Sequence, residues 1–290
     1  MTSNRFSSAT STAPRAIPNV VSIAGIDPSG GAGLFADLKA FSALGAYGCG
    51  IVAALTAQNT RAVTGVHLPP NDFIRLQIDT LFDDVPITGA KIGMLGNAGV
   101  VRAVADGLTH RSLPWLVLDP VMIAKSGDKL LADDAIALLL EAIFPIATLI
   151  TPNLPEAGVL LRERAPESVR EMRRAAEKLR ELLAHSGERW VLLKGGHLPG
   201  GELVDLLFDG DKMYELSSRR IDTRNTHGTG CTYSAAITAL LPQHEHVPSA
   251  VREAHAWLAR AIASSGQLAV AGSPQGHGPV HHFHALWSAR

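Results

Sequence analysis

Short, mostly apolar runs alternate along the chain with segments of helical period. Residues 20–24, 49–55, 90–94, 115–118, 147–150 and 190–193 read as buried strands. Between them, 33–44 places Leu34, Leu38, Phe41 and Leu44 on one side of a predicted helix, with Gly45 as its stop. Residues 73–82 do the same with Phe73, Leu76, Ile78 and Leu81, and 133–143 and the charged stretch 168–184 are also helical in period. Residues 202–216 read as antiparallel strands around a turn at Asp209-Gly210, and 230–241 and 249–268 as the last helices. Strands alternating with helices predict an α/β fold with a mainly parallel sheet. No internal repeat and no linker rich in Gly, Pro or charge interrupts residues 18–290, so a single domain is expected there.

The unusual polar clusters fall just after strands, at 27–33, Gln58-Asn59, 119–125, 153–156 and 194–197. Open α/β sheets bind ligands beyond the carboxyl ends of their strands, so these five loops predict one site.

Two nucleotide fingerprints can be tested on GIDPSGGAG at 25–33. Gly25 and Gly30 have P-loop spacing, but Gly31-Ala32 stand where Lys and Ser/Thr are required. Residues 31–36 fit G-x-G-x-x-A, yet the next strand ends in LTAQ, without the acid that a dinucleotide fold places there. A functional loop of another kind remains.

The sharpest signal is NTHGTGC at 225–231, opening a helix. Gly228 and Gly230 let backbone N–H groups turn inward around Thr229 as an anion nest, and the helix N-terminus adds partial positive charge. That suits the charge on a phosphoryl group in flight. The same dipole predicts a lowered pKa for Cys231.

Asp119 and Glu156 follow neighbouring strands and together suit Mg²⁺ beside ATP phosphates, directly or through water; the alternative for each is helix capping. Lys125 and Lys194 lie in loops on the same side, placed to neutralise polyphosphate. The histidines at 244, 246, 281, 282 and 284 lack partners at ligand spacing and read as structural or surface residues.

Composition narrows the class further. Hydrophobic residues at 46% against 18% charged supply a sizeable core and exclude wholesale disorder. With a net charge of −1 and scattered Lys and Arg there is no basic stripe for nucleic acid and no polybasic patch for lipid. Two distant cysteines suggest neither a disulfide framework nor a zinc site. Residues 1–17, rich in Ser, Thr and Pro, read as a disordered lead-in without an apolar h-region. The longest oily stretch, 135–150, is broken by Glu141 and Pro145, so no membrane span is expected and the cytoplasm follows.

Seven motifs stand in order: AGIDPSGGAG, ALTAQNT, KIGML, LDPVM, ITPNLPEA, KGGH and NTHGTGCT. The set, from Val20 to the closing GPVHHFH, resembles the bacterial hydroxymethylpyrimidine/phosphomethylpyrimidine kinases of thiamine biosynthesis. The resemblance implies a ribokinase-like fold with helices on both faces of the sheet. It implies ATP-dependent phosphorylation of 4-amino-5-hydroxymethyl-2-methylpyrimidine, then conversion of that monophosphate to the pyrophosphate, and a homodimer. It places the pyrimidine against Gly25, Asp37 and Gln58, with Met94 and Val121 lining the pocket, and puts Asn153 and Thr226 with the ATP-phosphate contacts. Cys231 stands where many ribokinase-like sugar kinases carry an Asp base, as in the pyrimidine kinases. Rival readings are a pyridoxal kinase, whose substrate also offers a ring hydroxymethyl group, and a non-catalytic pyrimidine sensor.

Overall fold

Six strands run parallel: β1 (Asn19–Ile26), β2 (Tyr47–Gln58), β4 (Gly89–Ile92), β5 (Trp115–Leu118), β6 (Leu149–Ile150) and β7 (Trp190–Leu193). Their buried residues are mostly Val, Ile, Leu and Ala, with Ser22 and Lys91 as polar exceptions, because helices cover both faces. In this computed structural model, which describes residues 16–122 and 131–287, antiparallel strands flank that centre. They are β3 (Val63–His67) beside β2, and β8 (Glu202–Phe208) with β9 (Met213–Arg219) beside β7, giving the order β3-β2-β1-β4-β5-β6-β7-β8-β9. Most of the predicted N-terminal lead-in, residues 1–15, lies outside the described residues.

Two apolar cores separate the layers. On one face α1 (Gly33–Ala43), α7 (Thr229–Leu240) and α8 (Val247–Ala263) pack on Val20, Val117 and Leu149. On the other, α2 (Asn71–Asp84), α3 (Ala98–Leu108), α4 (Asp133–Ala142), α5 (Leu154–Leu161) and α6 (Val169–Glu181) cover Val21, Ile23, Ile92 and Leu118. Helix α7 is buried on every side from Thr232 to Leu240, and its small residues allow the close approach: a Cβ on Gly89 of β4 would lie 3.4 Å from the Thr238 carbonyl.

The predicted strands and helices appear with ends shifted by a few residues, and three further elements join them. Helix α3 carries Gly99 and Gly107, which weaken a helical reading, but a Cβ at 107 would come 2.7 Å from Ile78 Cδ1, so the gap serves α2–α3 packing. Helix α5 begins within TPNLPEA, a stretch that reads as loop; Pro155 stands in its first turn, where no N–H is needed. Strand β3 is an exposed polar edge with no apolar alternation.

One ion pair crosses the interior. Lys91 of β4 and Asp37 of α1 are both fully buried, with Nζ to Oδ2 at 2.8 Å, and Ser22 Oγ donates to the same oxygen at 2.5 Å. Burial favours the neutral carboxyl and raises the Asp37 pKa, against the pull of Lys91; Asp37 in turn lifts Lys91 above the ordinary lysine range although burial acts the other way. Removing one partner strands the other, which costs about 3–5 kcal/mol. Lys91→Met is therefore expected to lose about that much stability in urea unfolding, and adding Asp37→Asn to recover a substantial part of it. A single variant as stable as the parent would refute the charge balance.

Candidate active site

β1 is flanked by β2 on one side and β4 on the other, so the chain leaves it in both directions and a crevice opens at its carboxyl end. Gly25 sits there, at a register shift between Ala24 and Gly25 in the β1–β2 pairing. Its N–H donates to the Met94 carbonyl at 3.2 Å, and a Cβ would come 3.0 Å from Met94 Cε. Gln58 ends β2, its Oε1 3.2 Å from Thr56 Oγ1, which is itself 2.8 Å from the Ile26 carbonyl. Val121 lines a small crevice with Gly93, Leu95 and Pro120, just beyond the ends of β4 and β5. The fifth residue placed against the pyrimidine, Asp37, is closed off from solvent, with Oδ2 committed to Lys91 and Ser22 and Oδ1 without a hydrogen-bond partner.

The turn that opens α7, where an anion nest is expected, lies against the glycine loop. Gly228, the residue before α7, has φ +72°, and a Cβ there would fall 1.7 Å from the Gly31 carbonyl, so only glycine fits. Next to it His227 Nε2 meets Asp27 Oδ2 at 2.7 Å. Asp27 also accepts from the N–H groups of Ser29 and Ala32, both at 2.9 Å. Burial would raise its pKa, but His227 and Ser29 outweigh that and hold it below the ordinary value. The Thr226 carbonyl accepts from Thr229 Oγ1 at 2.8 Å, and the first bond of α7 runs from Thr232 N–H to the Gly228 carbonyl at 2.8 Å. Gly230 and Cys231 thus belong to the first turn, whose N–H groups have no partner within the helix.

A second charge cluster faces the turn. Lys194, just after β7, donates to Asp119 Oδ1 at 2.9 Å, and Thr151 Oγ1 donates to the same oxygen at 3.0 Å. A Cβ on Gly230 would lie 3.3 Å from Lys194 Nζ and 3.8 Å from Asp119 Oδ2. Burial acts to raise the Asp119 pKa, but Lys194 and Lys91 hold it below the ordinary range. Asn153 and Glu156 form a reciprocal capping box for α5, at 2.8 and 2.9 Å. Burial, with Asp119 nearby, raises the Glu156 pKa to about 7, although Lys194 opposes it. The set fits a hard divalent cation in part: Asp119 Oδ2 receives only a 3.3 Å contact from Ser234, whereas Glu156 is tied to backbone amides and suits a water-mediated contact. Lys125 lies outside the described residues.

Cys231 departs from expectation. Burial of the thiol pushes its pKa up to about 11 despite Lys91, with Asp119 and Asp37 adding to the rise. A helix terminus contributes about 0.3–1 kcal/mol, under one pKa unit, whereas desolvation moves buried groups by several.

Sequence reasoning missed Lys91, whose signal was a lone charge inside an apolar strand, and the His227–Asp27 contact, which joins residues 200 positions apart. It read the C-terminal histidines as structural or surface residues. His281 and His282 are buried, and His282 Nε2 lies 3.0 Å from Thr232 Oγ1 at the start of α7.

Residues 27–281 match the family described as phosphomethylpyrimidine kinase. The chain is 49% identical over 269 residues to the hydroxymethylpyrimidine/phosphomethylpyrimidine kinase of Escherichia coli (strain K12), spanning 93% of this chain and 98% of that one. Among solved structures it resembles the pyridoxal kinase from Staphylococcus aureus in complex with AMP-PCP and pyridoxal, with a TM-score of 0.82 at 30% identity over 93% of this chain and 95% of that one. It also resembles the phosphomethylpyrimidine kinase from Clostridium difficile 630, with a TM-score of 0.74 at 36% identity over 85% of this chain and 100% of that one. The sheet order and helix layers are those of this ribokinase-like group of kinases. With a matching profile over most of its length and a curated relative at near half identity, the chain belongs to the phosphomethylpyrimidine kinase family.

Proposed function

We propose that this chain, as one kinase domain over 18–290, transfers the γ-phosphoryl group of ATP to the hydroxymethyl of 4-amino-5-hydroxymethyl-2-methylpyrimidine. It then phosphorylates that monophosphate to the pyrophosphate. The observation that carries the reading is the contact between the anion turn at Gly228 and the glycine loop at Gly31, which sets a phosphoryl-binding nest beside the crevice at Gly25. The ring lies over Gly25, between Met94 and Val121, with the Gln58 amide at its polar edge; Asp37, expected against the ring, is fully buried and acts from beneath through its pair with Lys91.

The N–H groups of Gly230 and Cys231 receive the oxygens of the migrating group, and Lys194, with Lys125, offsets phosphate charge. Thr226 and Thr229 shape the turn, and Asn153 holds Glu156 in place. Asp119 directly and Glu156 through water would hold Mg²⁺, whose charge would offset that of the phosphates. A homodimer at work in the cytoplasm is part of this proposal; among the described residues no helix is long and apolar enough to cross a membrane.

Pyridoxal is the second reading, favoured by the likeness to a kinase solved with pyridoxal bound. A coupled assay with Mg-ATP and the hydroxymethylpyrimidine, its products resolved as mono- and diphosphate, tests both. We expect ATP consumption to depend on the pyrimidine, both products to form in sequence, and kcat/KM to exceed that for pyridoxal by about tenfold or more. The opposite preference would reassign the substrate, and no stimulation would leave only a pyrimidine sensor.

The two steps make different demands on Cys231. An alcohol must lose a proton as it attacks, whereas a phosphate monoester near pH 7 is already largely dianionic. Cys231→Ala is expected to slow the first phosphorylation by about 10²-fold and the second by less than about tenfold. With the thiol at about 11, the thiolate fraction grows tenfold per pH unit, so the wild-type first step should rise from pH 7 to 10 and the variant should not. Equal losses in both steps, or parallel profiles, would assign Cys231 to geometry alone.

A further inference from the structure

His227 and Asp27 are both buried, and neither is placed to touch a substrate in the reading above. Their contact at 2.7 Å joins the loop that carries the pyrimidine to the turn that receives the phosphoryl group. Both sides are braced. Asp27 gathers the amides of Ser29 and Ala32, while Gly31 is shut in by the His227 ring, since a Cβ there would fall 2.4 Å from His227 Cδ2. Behind them runs the segment 277–282. It takes the His227 N–H on the Gly278 carbonyl at 3.0 Å, and its His277 N–H donates to Thr60, two residues beyond Gln58, at 2.9 Å. His282 closes on Thr232 in the first turn of α7 at 3.0 Å.

We propose that His227 is a positioning residue: by holding Asp27, it fixes the separation between the substrate's hydroxymethyl group and the amides that take the phosphoryl group. The inference rests on the kinase reading. Ring contacts at Gly25, Gln58 and Met94 do not involve His227, so its loss leaves substrate binding in place while the reacting groups drift apart. A misplacement of about 1 Å costs about 10²-fold in rate. Both phosphorylations use the same nest, so both slow together, unlike the first-step effect expected for Cys231.

The test compares His227→Ala, His227→Asn and His227→Gln by steady-state kinetics of each step, below the unfolding temperature of each variant. Gln carries its amide nitrogen to about the place of imidazole Nε2, and Asn stops short of Asp27. We expect Ala and Asn to lower kcat of both steps by about 100-fold with each KM within about threefold, and Gln to regain at least about tenfold over Asn. Equal activity of the Gln and Asn variants, a raised KM with kcat kept, or a loss confined to the first step would overturn the proposal. If His227→Ala does not fold, the Gln-to-Asn comparison decides. A wild-type protein that turns over no ATP with the pyrimidine would sink the kinase reading instead, whereas an active wild type with unimpaired variants sinks only this inference.

Discussion

The site depends on cancelling charge where the molecule is driest. A phosphoryl-transfer centre needs cations and anion-binding amides, yet the carboxyl ends of the central strands lie between two helical layers. An unpaired ion there costs several kcal/mol. The chain meets this with two pairs, Lys91–Asp37 at 2.8 Å between β4 and α1 and Lys194–Asp119 at 2.9 Å facing the first turn of α7. Lys91 acts on both, since its charge is also felt by Asp119 and Cys231. Desolvation still wins at Cys231, so the resting site holds a thiol.

The second constraint is steric. The glycine loop and the anion turn meet backbone to backbone, and a side chain at 228 would overlap the Gly31 carbonyl. This closeness brings the first turn of α7 to the glycine loop at the end of β1, and the buried His227–Asp27 contact joins the two. Lys194 and Asp119 reach the same turn from the other side, against Gly230. The place where a phosphoryl group would pass is therefore bounded by parts of the chain from β1, β5, β7 and α7.

Much of this was legible residue by residue. Apolar runs such as WLVL and WVLL marked β5 and β7 because a strand covered on both faces has no polar positions. NTHGTGC marked a turn opening a helix, and Gly228 takes the positive φ that such a turn requires. Helix α5 was hidden by Pro155 and the Pro152 before it, α3 by Gly99 and Gly107, which close on Asn71 and Ile78, and β3 by exposure.

The sequence by itself determined the alternation of strands and helices, the loops that carry polar chemistry and the family motifs, because all of these are local in the chain. Only the tertiary structure decided which charges pair, that Asp37 is buried beside Lys91, and that Cys231 keeps its proton. Those outcomes turn on burial and on neighbours from distant segments. Desolvation and Coulomb attraction act through space, and no spacing along the chain records them.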